Sequence, residues 1–279
     1  MVDTYLDTMT RLPSEITRLN EQFDLMAENI GYIIHPSITL PPTPRIADIG
    51  TGTGRFLLRL QPTLPNASFE GFDIAPDFYP PQDTLPPNMS LEIQDLKRPF
   101  PELMHQQYNM VHVRMLVAAM LPDDWEPAVH NLMRLLKPGG YLQWEECDFA
   151  HATMLQGNPS ALIENSKHMF DMFRASFGDK FVYGWSTLPG IMRSAGLDPV
   201  VSHVMSSDRV PETRARETTN KLALAFTSAR MAGKQALELP GNKSLEEVEK
   251  VVYEEIESGC YLRYDIHVVC GQKPTASVP

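Results

Sequence analysis

Arg45-Ile-Ala-Asp48-Ile-Gly50-Thr-Gly52-Thr-Gly54 is the stretch that decides the fold of this 279-residue chain. A short apolar run ends in an acid, glycine then takes three alternate positions, and the helix-compatible segment Arg55–Gln61 follows until Pro62 stops it. The pattern predicts a strand, a tight turn and a helix. Alternate glycines let the main chain turn through positive φ and let a ligand lie against bare backbone, with the N–H groups of the next helix aimed at it. A dinucleotide-binding turn is spaced G-x-G-x-x-G, whereas this one is G-x-G-x-G with Asp48 two residues ahead of the first glycine. A carboxylate in that place repels a pyrophosphate and attracts an ammonium or a sulfonium.

The chain is long enough for one large α/β domain, or for one domain with an attached cap. Its net charge of −11 argues against a nucleic-acid partner, because no segment supplies the Lys/Arg patch that a phosphate backbone needs. A small-molecule or protein acceptor fits better. Cys147, Cys260 and Cys270 are odd in number and lack metal-ligand spacing, so they read as reduced thiols in an intracellular protein, with no metal site expected. Met1-Val-Asp-Thr-Tyr-Leu-Asp has neither the basic nor the apolar region of a signal peptide, and no apolar run approaches the roughly 18 residues of a membrane span. A cytoplasmic location without membrane association is the expectation.

Upstream of the turn, Ile16, Leu19, Phe23, Met26 and Ile30 recur at helical spacing up to Gly31. This predicted helix, set off by Pro41-Pro42-Thr43-Pro44, either closes over a ligand or covers one face of the sheet. Downstream, Ala67–Asp73 reads as a second strand. It places Asp73 about 20 residues beyond the turn, the separation at which a βαβ unit sets a carboxylate against ribose hydroxyls. Residues 76–88, rich in proline, read as loop. Met89, Leu91 and Ile93 mark a third strand leading to Asp95, so three acids follow three consecutive strands along one edge of a parallel sheet. Tyr108–Arg114 is the fourth strand. Trp125, Val129, Leu132 and Leu136 then mark a helix, and Lys137-Pro138-Gly139-Gly140-Tyr141-Leu142 a turn into the fifth strand.

Asp48, Gly50, Gly52 and Gly54 match [DE]-x-G-x-G-x-G, and with this motif the chain resembles the class I S-adenosylmethionine (SAM) dependent methyltransferases. The run Leu135-Leu136-Lys137-Pro138-Gly139-Gly140 is similar to their late turn before a strand. The strings ADIGTGTGRF, GFDI, VHVRMLV and LKPGGYLQWEE resemble a fungal group of small-molecule methyltransferases of secondary metabolism, over roughly Arg11 to Pro274. Asn109 departs from the general pattern, where an aspartate is commoner. The resemblance implies SAM as cofactor, bound by the turn Asp48, Gly50, Thr51, Gly52 and Gly54. It further implies ribose contact at Asp73 beside Ile74, adenine contact at Asp95 and the main chain of Leu96, and main-chain help from Val113.

Methyl transfer from a sulfonium is an in-line displacement, so orientation of the acceptor supplies much of the rate. An acceptor that must lose a proton early needs a base, for which His112, or failing that Glu145, is the candidate among the polar residues after the fourth and fifth strands. Arg114 is placed to read the carboxylate of SAM bidentately. Trp144, Phe149, Phe170 and Phe173 are candidates for an aromatic acceptor pocket, although Met and Phe at helical spacing also suit a core.

The expected fold is α/β and Rossmann-like: a mostly parallel seven-stranded sheet with an antiparallel last strand, plus a helical cap. Residues 1–44 form the lid and linker, 45–150 the SAM-binding core, 151–180 a helical insertion, 181–205 a core continuation, 206–254 the helical cap, and 255–279 the final strand and tail. In the cap, Ser244-Leu-Glu-Glu247 reads as a capping box, and Tyr261–Val269 as an antiparallel edge strand. The expected function is SAM-dependent methylation of an O, N or S atom of a small natural product. Its rivals are a SAM-binding protein catalysing cyclisation or rearrangement, a regulatory SAM-binding protein, and an NAD(P) oxidoreductase, the last disfavoured by the glycine spacing and Asp48.

Overall fold

The computed structural model describes residues 13–232, 239–240 and 243–275. Among these, seven strands form one sheet in the order β3-β2-β1-β4-β5-β7-β6. They are β1 (Arg45–Ile49), β2 (Ser68–Asp73), β3 (Met89–Ile93), β4 (Tyr108–Arg114), β5 (Leu136–Gln156), β6 (Val200–Ser206) and β7 (Cys260–Gln272). β1 to β5 are parallel, and β7 is antiparallel to both its neighbours. Strand order reverses between β1 and β4, which is where open α/β sheets leave a crevice outside their carboxyl ends.

Central strands covered on both faces are rich in apolar residues, and in β1 and β4 Ile46, Ala47, Met110, Val111 and Val113 are all fully buried. On one face Ile46 and Met110 meet Phe56, Leu57 and Leu60 of α2 (Arg55–Leu60) and Phe23 of α1 (Pro13–Ile30). On the other, Ala47, Val111, Val113 and Trp144 meet Trp125, Val129 and Leu132 of α3 (Trp125–Leu135). Period-two alternation thus sends Asp48, His112, Arg114, Gln143 and Glu145 to the α1/α2 face and Trp144 and Glu146 to the α3 face.

Three expectations are corrected. The edge strand proposed at Tyr261–Val269 is antiparallel but lies inside the sheet, between β5 and β6. Its length is the reason, since it pairs with β5 from Tyr141↔Gln272 to Gln156↔Cys260. The edge on that side is β6, where Val204 is exposed. The boundary at residue 151 falls within β5, which continues to Gln156 after a register shift between Asp148 and Thr153. Residues 76–88 hold two short 3-10 turns, Pro76–Phe78 and Gln82–Thr84.

Four helices, α1, α4 (Glu164–Phe177), α6 (Arg214–Ala232) and α7 (Leu245–Glu257), pack beside the sheet, while α5 (Leu188–Ser194) lies between α3 and β6. Glu255 of α7 accepts from Ser166 N at 2.7 Å on α4. Asn29 Nδ2 of α1 donates to Thr213 Oγ1 at 2.9 Å, just ahead of α6, and Arg216 pairs with Glu21 at 2.9 Å. α7 opens on the capping box, with Glu247 N donating to Ser244 Oγ and Ser244 N to Glu247 Oε2. Residues 1–12 of the lid, 233–238 and 241–242 of the cap, and 276–279 of the tail lie outside the described residues.

Candidate active site

Asp48 and Asp73 stand at or one residue before the carboxyl ends of β1 and β2, Asp95 two residues past β3, and Arg114 at the end of β4. Parallel register brings them to one edge of the sheet. Gly50, Gly52 and Gly54 have φ of 69°, 52° and 72°, a left-handed backbone that explains the need for glycine in the turn. Gly50 N and Thr51 N donate to Phe72 O at 2.8 and 3.0 Å, Gly52 N to Asp73 Oδ2 at 2.8 Å, and Thr51 Oγ1 to Asp48 Oδ2 at 2.7 Å. The turn is therefore held in shape by the protein's own groups. A Cβ at Gly50 would stand 2.7 Å from Leu116 Cδ2, whereas one at Gly52 would meet nothing within 4 Å. Bare backbone at Gly52 borders open space.

That space is a cleft of about 220 Å³. Of the residues expected to bind cofactor, Asp48, Gly50, Thr51, Gly52, Asp73, Ile74, Asp95, Leu96 and Arg114 line it. Gly54 does not; it caps α2. Val113 is buried in the α3-side core. Of the expected acceptor residues, Phe149 and Phe173 line the cleft, while Phe170 lies behind them, 6.4 and 6.1 Å away ring to ring. Trp144 is misplaced by the sequence reading. It points to the α3 face, its ring 5.3 Å from that of Trp125 and its Nε1 donating to Glu146 Oε1 at 2.9 Å.

His112 and Glu145 are both buried, and they face each other. His112 Nδ1 lies 2.7 Å from Asp48 Oδ1, and its Nε2 lies 3.5 Å from Glu145 Oε1. Phe56 stacks on the imidazole at 3.6 Å, the ring planes nearly parallel. Glu145 Oε2 pairs with Arg114 Nη2 at 2.5 Å, and Glu145 Oε1 accepts from Gln143 Nε2 at 2.6 Å. Burial alone would lower the pKa of His112, but the hydrogen bond to Asp48 and the facing Glu145 carboxylate outweigh it and the pKa is raised. Burial pushes Glu145 up, but the Arg114 charge and His112 hold it below its ordinary value. Both shifts favour imidazolium between two carboxylates. Nδ1 is bonded to Asp48 while Nε2 faces Glu145 across 3.5 Å without a hydrogen bond, so as an imidazolium His112 has no lone pair to offer the cleft, and Glu145 does not line it. Arg114 reaches the cleft but is committed: besides Glu145, Nη1 donates to Phe23 O at 3.2 Å and the guanidinium lies 4.1 Å over the Phe23 ring.

Sequence reasoning missed several lining residues. Arg18, Leu19, Gln22 and Phe23 of α1 close one side, and Leu19 and Phe23 belong to the apolar stripe that signalled a helix with a buried face. Phe78 was read as part of a proline-rich loop, yet it is buried and lines the cleft. The segment Met115–Met120 after β4 also lines it, anchored by Glu146 Oε1, which accepts from Leu116 N at 2.9 Å. Phe181 and Leu224 complete the wall.

Residues 46–140 match the family described as a methyltransferase domain. Over 269 residues the chain is 30% identical to N-methyltransferase tcpN of Claviceps purpurea, covering 90% of this chain and 91% of tcpN. Methyltransferase grgD of a Penicillium species is 36% identical over 143 residues, 48% of this chain and half the length of that relative. Among solved structures, a Haemonchus contortus N-methyltransferase in complex with phosphomonomethylethanolamine and S-adenosylhomocysteine superposes with a TM-score of 0.52 at 12% identity, over 92% of this chain and 53% of that one. That likeness concerns the fold.

The chain belongs to the class I SAM-dependent methyltransferases. Family membership implies SAM as the cofactor. No helix among the described residues is long and apolar enough to cross a membrane.

Proposed function

We propose that this methyltransferase transfers the methyl group of SAM to a nitrogen of a small apolar natural product of fungal secondary metabolism, with oxygen or sulfur as the alternative acceptor atom. The observation that carries the reading is the row of Asp48, Asp73 and Asp95 along a cleft whose other wall is Leu19, Phe149, Phe173, Phe181 and Leu224. Nitrogen is favoured because tcpN, gliN and sirN are named N-methyltransferases.

Asp73 is assigned to the ribose hydroxyls, Asp95 with the Leu96 main chain to the adenine edge, and the bare turn at Gly50–Gly52 to the remainder of the donor. The open Cβ direction at Gly52 fits this use. When bound, SAM supplies a methyl carbon made electrophilic by its sulfonium. The work left to the chain is to hold the acceptor atom in line with that carbon and to exclude water, which an aromatic wall does. His112 and Glu145 serve in this scheme by fixing Asp48 and Arg114 rather than by taking a proton.

Calorimetric titration with SAM, S-adenosylhomocysteine (SAH) and NAD⁺ tests the cofactor. Binding of the first two but not NAD⁺ is expected, lost in Asp73→Ala and partly kept in Asp73→Asn, which retains an acceptor for Gly52 N. Binding of NAD⁺ alone, or of none, would overturn the reading. An acceptor gaining one methyl mass with SAH formed establishes transfer; an isomerised product with SAM intact would show the cyclising chemistry instead.

A further inference from the structure

Every cation that lines the cleft has an acid of its own. Arg18 Nη2 and Nε lie 2.6 and 2.8 Å from the two oxygens of Glu15, and its Nη1 donates to Asn220 Oδ1 at 3.1 Å. Arg55 pairs with Asp24 at 2.5 Å. Lys97 pairs with Asp124 at 2.7 Å and donates to Ala119 O at 2.9 Å. Arg114 pairs with Glu145, and His112 is held between Asp48 and Glu145. Among the described residues the cleft has no other Lys, Arg or His. The side chains of Arg18 and Arg114 are each only 9% exposed, so these pairs sit in poorly solvated surroundings.

From these pairings we infer that the acceptor is a neutral, largely apolar ring compound, and that the cleft discriminates against acceptors carrying a carboxylate or phosphate; this rests on the methyl-transfer reading. An anionic acceptor that takes Arg18 or Arg114 must strip it from its partner and leave the buried carboxylate of Glu15 or Glu145 uncompensated. The alternative is to bury its own charge against Phe149, Phe173, Phe181 and Leu224. The net charge of −11 adds repulsion during approach. The fold shared with the Haemonchus contortus enzyme therefore does not bring an anionic acceptor with it.

The test is native mass spectrometry of the full chain saturated with SAH against matched ring compounds, naphthalene and indole methyl esters beside the corresponding carboxylates. Retention of the neutral members with the acids about tenfold weaker or more is expected. Equal or tighter binding of the acids overturns the inference, and so does retention of no neutral member. SAH occupancy is read in the same spectra, so failure of the cofactor reading shows separately as a missing SAH adduct. Glu15→Gln, which releases Arg18 from its acid, should strengthen binding of the carboxylates about fivefold. Unchanged acid binding in a folded Glu15→Gln protein overturns the assignment of the discrimination to the ion pairs.

Discussion

Asp48 and His112 are register partners on β1 and β4, and their side chains meet at 2.7 Å beneath the glycine turn. From there charge alternates through Glu145 to Arg114, two negative and two positive groups that sum to zero. Arg114 carries the chain on to Phe23 of α1, and Gln143, bonded to Glu145, donates to Ile33 O at 2.9 Å and accepts from His35 N at 2.8 Å. One buried network thus joins the glycine turn to α1 and to the segment after it, across three core strands. Position of the lid helix and shape of the turn are set by the same charges.

Replacing His112 with Phe keeps a ring against Phe56 but removes the cation between two buried acids. Asp48 keeps only Thr51 Oγ1, and Glu145 retains only Arg114 and Gln143. Breaking a buried pair by removing one member costs about 3–5 kcal/mol, so the urea midpoint should fall by the corresponding amount, and SAH affinity with it. Wild-type stability in His112→Phe would show that the network carries no net charge coupling.

The same network predicts a pH dependence. The folded pKa of His112 lies above 6.5, so its stabilisation is complete below pH 6.5 and is lost as pH rises through the higher folded value. Glu145 lies below 4.5, so its contribution is present above pH 4.5 and is lost as pH falls through the lower folded value. The unfolding free energy should therefore decline on the alkaline side, and His112→Phe should flatten that limb.

Glu146 acts in the opposite sense to Glu145. Burial lifts it from 4.5 to about 7, so the folded protein prefers it protonated and stability is lost as pH climbs between those values. Glu146→Gln keeps an oxygen for Trp144 Nε1 and Leu116 N and removes that loss, about 3 kcal/mol at 1.4 kcal/mol per pKa unit. Denaturant titrations from acid to neutral pH should show the variant gaining on the wild type across the interval. Parallel curves would place the Glu146 pKa at its ordinary value.

Gly52→Ala separates the turn's conformation from its ligand. A left-handed alanine costs about 1–2 kcal/mol, and its methyl group, meeting no protein atom within 4 Å, projects into the cleft. The melting temperature should drop by a few degrees while SAH binding weakens at least about tenfold, because the methyl occupies ligand space. Unaltered SAH affinity in the variant would remove the turn from the cofactor site.

How much of this was legible in the chain follows from range. Glycine spacing and acids at strand ends depend on main-chain geometry within a few residues, so Asp48–Gly54, Asp73 and Asp95 stood out. The partners of His112 and Arg114 depend on how β4 registers against β1 and β5, on segments tens of residues away, which no local pattern encodes. In Gln143-Trp144-Glu145-Glu146 both faces of the strand are buried, so polarity did not reveal which side chains face α1 and which face α3. The place of β7 inside the sheet was hidden for a related reason: its alternation matches an edge strand, and only its ladder with β5 and β6 shows otherwise.

Trp144 is where that ambiguity has a measurable consequence. Its ring is fully buried against Trp125 on the face away from the cleft, so Trp144→Ala should open a core cavity and cost about 3–5 kcal/mol of stability. Phe173 lines the cleft, and Phe173→Leu, a modest change in volume, should cost less than about 1.5 kcal/mol while raising the acceptor KM and leaving the SAH Kd unchanged. Melting curves and steady-state kinetics on the two variants therefore give opposite patterns, one a stability loss and the other a KM effect. If Trp144→Ala instead kept its stability and lost acceptor affinity, the assignment of strand faces on β5, and with it the acceptor wall, would be wrong.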